Sequence, residues 1–327
     1  MKFYSDNKVF ELHNDLKKAL KSVREARSFD VDGYIAKKVD MLNAYMRRYK
    51  LKSCVVAISG GIDSAVVYAL ISEAKKTKDS PIQKVVPIFL PVYNSAGATN
   101  QEEAKKKAED LINVFGGELK EVDISPVHQL LKSIVDRALD VEGQPWASGQ
   151  LVSYLRTPAY YYVSSLLNQQ GYPPIVCGTT NRDEGAYLGY FGKASDGMVD
   201  IQLISDIHKS EVYQVAKHLD VPQSIIKATP TGDMYDNRSD EELFGATYDF
   251  VELYLHYLNM EASKQFEFCL NLSEEANEQF LLLKKNIDDL HHYNHHKYLG
   301  ASPAVHMDVI EGKVKGGWIY NNFQGEI

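Results

Sequence analysis

The residues best placed to do chemistry form one short run, Ser59-Gly60-Gly61-Ile62-Asp63-Ser64. It lies between Cys54-Val-Val-Ala-Ile58 and Ala65-Val-Val-Tyr-Ala-Leu-Ile71. The first flank is short, unbroken and largely β-branched, so it reads as a strand buried on both faces. The second has no Gly or Pro and keeps apolar residues three or four apart, so it reads as a helix. A strand, a Gly-rich turn and a helix N-terminus make an anion site, because free N–H groups and the helix dipole both favour negative charge. Phosphate is the expected anion. The run is not the G-x-x-x-x-G-K-[ST] of a kinase-like loop, nor the G-x-G-x-x-G of a dinucleotide turn. Instead Asp63 stands where a phosphate should lie. Carboxylate and phosphate repel unless a divalent cation separates them, so Asp63 implies Mg2+.

Three further clusters carry polar chemistry. Gly178-Thr179-Thr180-Asn181-Arg182-Asp183-Glu184 follows the strand-like Ile175-Val-Cys177. Glu184 there is either a second carboxylate for the metal or an acid stabilising a helix N-terminus; the stretch alone leaves both open. Lys209 falls in the first turn of the next helix, where its charge opposes the dipole. That misplacement points to an anionic ligand. Ala228 to Asp240 is polar and weakly patterned, which suits a mobile lid.

The elements that must position these groups alternate. Helices are expected over Tyr34–Arg48, Gln101–Phe115, Ser125 to about Leu139 and Leu151–Gln169, with Gly143 to Gly149 as a loop. Strands are expected at Lys84–Leu90, where Pro87 is a poor central residue, and at Leu119–Val122. Ser125 is the expected N-cap of its helix, with Pro126 at the first helical position. This order gives an α/β fold with a doubly wound, mainly parallel sheet and ligands beyond the carboxyl ends of the strands. The 327 residues carry a net charge of −8, so no broad basic surface for nucleic acid is implied. No apolar run reaches membrane-spanning length and the N-terminus lacks a signal-peptide core, which leaves the cytoplasm as the expected location. Cys54, Cys177 and Cys269 lie far apart, and two of them fall in buried strands as inert thiols. His291, His292, His295, His296 and His256 read as a hydrated helix end rather than a metal site, since no acid or Cys accompanies them at ligand spacing.

The Ser59–Ser64 run matches the S-G-G-x-D-S loop of the ATP-pyrophosphatase superfamily, and the ordered clusters resemble the ammonia-dependent NAD synthetases without a glutaminase domain. The family's G-T-[TD] signature and Mg2+ glutamate correspond to Gly178-Thr179-Thr180 and Glu184. Lys193, Asp196-Gly197 and Asp200 precede the phosphate lysine, Lys209. The family loop before S-D-E appears as Pro230-Thr231-Gly232-Asp233-Met234 before Ser239-Asp240-Glu241, and a late His-Lys pair as His296-Lys297. Gln150-Leu-Val-Ser153-Tyr154-Leu-Arg156 stands where the family carries N-x-x-A-R-x-R, keeping the last Arg.

The resemblance implies a Rossmann-like fold of the adenine nucleotide alpha hydrolase type with helical N- and C-terminal additions. It divides the chain into an arm over residues 1–30, an ATP-pyrophosphatase α/β domain over 31–272 and a helical segment over 273–327 completing the same domain. It implies a homodimer that amidates nicotinate adenine dinucleotide with ammonia through an acyl adenylate, using ATP and Mg2+. ATP contacts fall to Ser59, Gly60, Gly61, Asp63, Ser64, Thr179, Lys209 and Thr231, with Asp63 and Lys209 catalytic. The dinucleotide falls to Tyr154, Arg156, Lys193, Asp196, Asp200, Asp233, His296 and Lys297, and the metal to Asp63 and Glu184. Adenylation of a different carboxylate, or a nucleotide-binding relative without turnover, would use the same loop.

Overall fold

The computed structural model describes residues 11–93, 101–232, 238–299 and 302–316. Helices α1 (Asn14–Arg27) and α2 (Val31–Arg48) lead into strand β1 (Ser53–Ala57), and helix α3 (Ile62–Lys76) begins inside the Gly-rich run. Then come β2 (Lys84–Phe89), α4 (Gln101–Phe115), β3 (Lys120–Glu121), α5 (Ser125–Leu139), α6 (Pro145–Gln169) and β4 (Pro174–Gly178). A π-helical turn, Glu184–Leu188, precedes β5 (Ile201–Gln202) and α7 (Lys209–His218). The short α8 (Gln223–Ile226) and α9 (Asp240–Phe244) are followed by α10 (Tyr248–Leu258), α11 (Ala262–Leu270), α12 (Glu274–Asn294), β6 (Val305–Asp308) and β7 (Lys313–Gly316).

The strands form one sheet in the order β3-β2-β1-β4-β5-β6-β7. Every pairing is parallel except β6 with β7. Strand order reverses at β1, so the carboxyl ends of β1 and β4 flank the crevice where such sheets bind ligands. The Gly-rich run follows β1, and Gly178–Glu184 follows β4.

Several expectations shift. Pro87 does sit in β2, paired with Val56 of β1. Ile88 turns its carbonyl to β1 and Phe89 turns its own to the β3 side, so alternation aims the Pro87 nitrogen at the β3 side. There β3 starts only opposite Ile88, and no ladder bond is lost. Ser125 is the first helical residue rather than the cap; Ile124 holds the cap position, and Asp123 Oδ1 accepts from the Ser125 N–H at 2.8 Å. Helix α6 starts at Pro145, inside the stretch expected as a loop, and runs through Pro158.

The N-terminal residues expected at the periphery are built in: Leu12, Leu16 and Leu20 are buried in a second core with α10 and α12. Nor is the C-terminal segment only helical, since it supplies β6 and β7. His291 is not a hydrated end either, because its ring stacks on Tyr187 at 3.9 Å. Among the described residues no helix is long and apolar enough to cross a membrane.

One buried network holds the Leu203–His208 loop that delivers Lys209. Asp206 accepts from Tyr34 Oη at 3.0 Å, from Lys38 Nζ at 2.9 Å and from the Val309 N–H at 2.9 Å. Lys38 Nζ also donates to the Met307 carbonyl at 2.5 Å. Fully buried ions survive only when paired and hydrogen-bonded like this. Helix α5 does the opposite with its apolar side. Val127, Leu130, Leu131, Ile134, Val135 and Leu139 form an exposed stripe, Leu130 at 63% and Leu139 at 68%.

Candidate active site

The Gly-rich turn closes on itself. Ser59 Oγ lies 3.2 Å from Ser64 Oγ, the Gly61 N–H points at Ser59 Oγ at 3.3 Å, and Ser64 Oγ donates to the Gly61 carbonyl at 3.0 Å. Gly60 is obligatory. Its φ is +81°, and a Cβ there would meet the Ala104 carbonyl oxygen of α4 at 2.8 Å. Asp63, in the first turn of α3, faces across the crevice.

Asp63 Oδ2 accepts from Lys209 Nζ at 2.5 Å, and Asp63 Oδ1 from Asn181 Nδ2 at 2.9 Å. The same two donors reach Glu184 Oε1, Asn181 at 2.7 Å and Lys209 at 3.3 Å. The π-helical turn aims Glu184 inward. So the structure brings together Asp63, Glu184 and Lys209, which the sequence singled out, and adds Asn181. It also adds Tyr248, whose hydroxyl lies 2.8 Å from Glu184 Oε1 and 3.0 Å from Asp240 Oδ2. Tyr190 Oη donates to Asp240 Oδ1 at 3.1 Å.

Burial works against the Lys209 charge, but Asp63, Glu184 and Asp240 outweigh it and hold its pKa above the ordinary lysine value. Burial pushes Glu184 up to about 8, opposed by Lys209 and reinforced by Asp63 and Asp240. Lys209 is cationic at neutral pH, and a proton is available to Glu184 until something else neutralises it.

The backbone of Lys209 is clamped from behind. Its N–H donates to Asp183 Oδ2 at 2.7 Å, and Asp183 Oδ1 meets His208 Nδ1 at 2.5 Å. Burial raises Asp183 to about 7, and burial with Arg182 lowers His208 to about 3. The Arg182 N–H bonds the Ile207 carbonyl at 2.9 Å, tying the two loops together.

Of the residues assigned to a dinucleotide, Tyr154, Lys193, Asp196 and Lys297 gather elsewhere, at the 189–197 loop. Thr157 and Tyr160 of α6 donate to the Ala194 and Ser195 carbonyls. Lys297 Nζ donates to the Gly189 and Phe191 carbonyls at 2.8 and 2.7 Å, and burial lowers its pKa to about 8. Tyr154 is exposed, its hydroxyl 3.3 Å from Gln150 Oε1, and its ring lies beside Gly192. Lys193, Asp196 and His296 are exposed. Arg156 Nε donates to the Leu90 carbonyl at 3.3 Å.

Asp200 is not brought to this group. Its carboxylate is committed to the fold, accepting from the Val176 N–H at 2.7 Å and from Tyr161 Oη at 3.1 Å. Thr179 borders the crevice after β4, and Thr231 pairs with Ser239 in an isolated bridge. Asp233 lies outside the described residues. Asn181 and Asp240 stood inside clusters the sequence had marked, but nothing local distinguished them. Tyr248 carried no signal at all.

The NAD synthase family profile matches residues 34–298. The NH(3)-dependent NAD(+) synthetase of Pyrococcus furiosus is 31% identical over 278 residues, covering 84% of this chain and 97% of the relative. That of Thermoplasma acidophilum is 34% identical over 64% of this chain and 79% of the relative. Among solved structures, the NMN synthetase of Francisella tularensis matches with a TM-score of 0.64 and 26% identity, covering 82% of this chain and 96% of that one. The profile match spans both the loop after β1 and the Lys209 helix, and the relatives align over most of their own length. The chain therefore belongs to the NAD synthase family.

Proposed function

We propose that this protein forms NAD by ATP-dependent amidation of nicotinate adenine dinucleotide with ammonia. The observation that carries the reading is the Asp63–Lys209–Glu184 constellation beside a phosphate-type loop, in a chain whose relatives are named NH(3)-dependent NAD(+) synthetases. A carboxylate oxygen of the substrate attacks the α-phosphorus of ATP, and the bond to the β-phosphate oxygen breaks. Ammonia then attacks the carbonyl carbon of the acyl adenylate, AMP leaves, and the extra proton passes to solvent. The pyrophosphate is held by Ser59, Gly60, Gly61 and Ser64, and Lys209 meets the charge that develops on the separating phosphates. Thr179 and Thr231 complete the ATP side. Tyr154, Arg156, Lys193, Asp196, His296 and Lys297 serve the dinucleotide.

Mg2+ fits the donors present. Asp63 and Glu184 share Lys209 and Asn181, and 18% and 13% of their side chains stay exposed. Two such carboxylates plus substrate phosphates are the usual Mg2+ set. Among the described residues no three His, Cys, Asp or Glu side chains form a ready-made cage, which suits an ion that arrives with nucleotide. Bound there, Mg2+ would neutralise phosphate charge. Sulfur transfer is disfavoured: Cys54 and Cys177 are buried, and the bond to Cys54 together with burial holds the Cys177 thiol far above its ordinary range.

The exposed α5 stripe supports a homodimer, because an apolar helix face of this length is normally covered. Helix α5 packs on α6, which carries Tyr154 and Arg156, so such an interface lies near the nucleotide group. The enzyme would work in the cytoplasm.

The test supplies ATP, Mg2+, ammonium and the deamido dinucleotide and follows NAD with a dehydrogenase. A second reading has one specific support, the match to an NMN synthetase. In that reading the acid is nicotinate mononucleotide. Running both acids side by side decides it: pyrophosphate release with the mononucleotide alone overturns the dinucleotide and keeps the adenylation.

A further inference from the structure

Tyr248 meets every charged group of the centre except Asp63. Its hydroxyl lies 2.8 Å from Glu184 Oε1 and 3.0 Å from Asp240 Oδ2, and its ring centroid is 4.8 Å from Lys209 Nζ. A phenol has one hydrogen and can donate to one of these carboxylates at a time. Asp240 has a second donor in Tyr190. The backbone and ring that carry the hydroxyl are fixed. The Tyr248 N–H donates to Glu241 Oε1 at 2.8 Å, the ring packs edge-on against Phe244 at 5.3 Å, and Thr247 caps the helix that carries it.

We infer that Tyr248 is a positioning residue for the metal centre, whose hydroxyl sets the orientation of Glu184 and so the affinity of the site for a divalent cation. The inference rests on the assignment of Asp63 and Glu184 to the metal. Groups that hydrogen-bond a metal ligand orient it, and their loss weakens metal binding by about 10- to 100-fold. Tyr248 also belongs to the second core, among Phe244, Phe250 and Tyr254. The second, helical core thereby reaches one atom of the cation site. A purely structural tyrosine would pack equally well without its hydroxyl.

The probe is Mn2+, with a non-hydrolysable ATP analogue, followed by the electron paramagnetic resonance signal of the free ion. Tyr248→Phe keeps the ring and its contact with Lys209 and removes only the hydroxyl. It should bind Mn2+ at least about tenfold more weakly, with the metal-free melting temperature unchanged. Tyr190→Phe removes a donor from Asp240 but leaves the Tyr190 N–H on the Glu184 backbone carbonyl and takes nothing from the Glu184 carboxylate, and should bind Mn2+ as the parent does. Unchanged Mn2+ affinity in Tyr248→Phe overturns the inference, whether or not melting falls. So does an equal loss in both variants, which would place the effect on Asp240. A parent protein that takes up no Mn2+ with nucleotide overturns it together with the metal assignment. A parent that binds Mn2+ with the expected Tyr248 dependence yet makes no NAD upholds it and removes the substrate reading instead.

Discussion

Lys209→Met is the sharpest perturbation, because it removes one charge and keeps an unbranched side chain of similar length. Nζ lies 2.5 Å from Asp63 Oδ2 and 3.3 Å from Glu184 Oε1, in a side chain that is 3% exposed. A unit charge acting at about 4 Å with an effective dielectric of about 20 is worth about 4 kcal/mol. Loss of one donor aimed at developing charge costs about 10²- to 10³-fold in turnover, the same order. The fold faces a separate cost, since stripping the cation from a buried pair destabilises by about 3–5 kcal/mol when the partner stays charged. Here Asp63 keeps the Asn181 amide and is 18% exposed, and the second partner, Glu184, need not stay charged. Glu184 already titrates near 8, and losing Lys209 removes the influence that holds it down, so it takes a proton at neutral pH. The variant should therefore fold. The assay is ATP–pyrophosphate exchange at saturating ATP, with ATP affinity measured on the same preparation. Exchange should fall by at least about 10²-fold, with the smaller change in affinity. Collapsed affinity with exchange intact at saturation would show that Lys209 is only a ground-state contact, and the reasoning fails.

Asp63→Asn should also cost about 10²-fold or more in adenylation while melting normally, since an amide cannot anchor the cation; near-normal turnover by the folded variant sinks that role. On the proposed metal assignment, proton and metal compete for Glu184, so apparent Mg2+ affinity should rise by up to about tenfold per pH unit below 8 and level off above it. A flat titration between pH 6 and pH 8 counts against Glu184 as a ligand. In metal-free protein the raised Glu184 means the folded state holds the extra proton, so its contribution to stability is full below about 4.5 and is lost as pH rises through about 8. Ile134→Glu should dissociate the proposed dimer, seen by sedimentation; an unchanged dimeric mass places the interface elsewhere.

Much of the site was legible because it breaks local rules. A carboxylate in a phosphate loop and a lysine at a helix N-terminus are poor structural choices, and both lie at the centre. Their partners obey local rules and so left no trace. Tyr248 reads as an amphipathic core residue, and only tertiary packing brings its hydroxyl to Glu184. Asp200, by contrast, was assigned to substrate from its place in a motif, and its carboxylate proved to bind strand backbone. The Ser125-Pro126 opening located α5, but nothing local could say whether its apolar stripe faces the chain's own core or another molecule. Pro87 was misjudged because the rule for central strands assumes a neighbour on both sides along the whole length.

The Asp206 network also sets the order in which the enzyme becomes competent during synthesis. The phosphate loop, β1 and α3 are contiguous in sequence and can assemble early. The loop that presents Lys209 is secured by the Val309 N–H, 103 residues later, and Lys38 is secured by the Met307 carbonyl, 269 residues from it. At about 5–20 residues per second, the nascent chain waits several seconds or more between making Asp206 and making Val309, the last of its partners. During that interval Lys38 and Asp206 have no finished strand to bind. A ribosome stalled before residue 305 would thus carry a chain whose Asp206 has Tyr34 and Lys38 but lacks the Val309 N–H, so the loop that presents Lys209 is held by fewer bonds than in the finished protein.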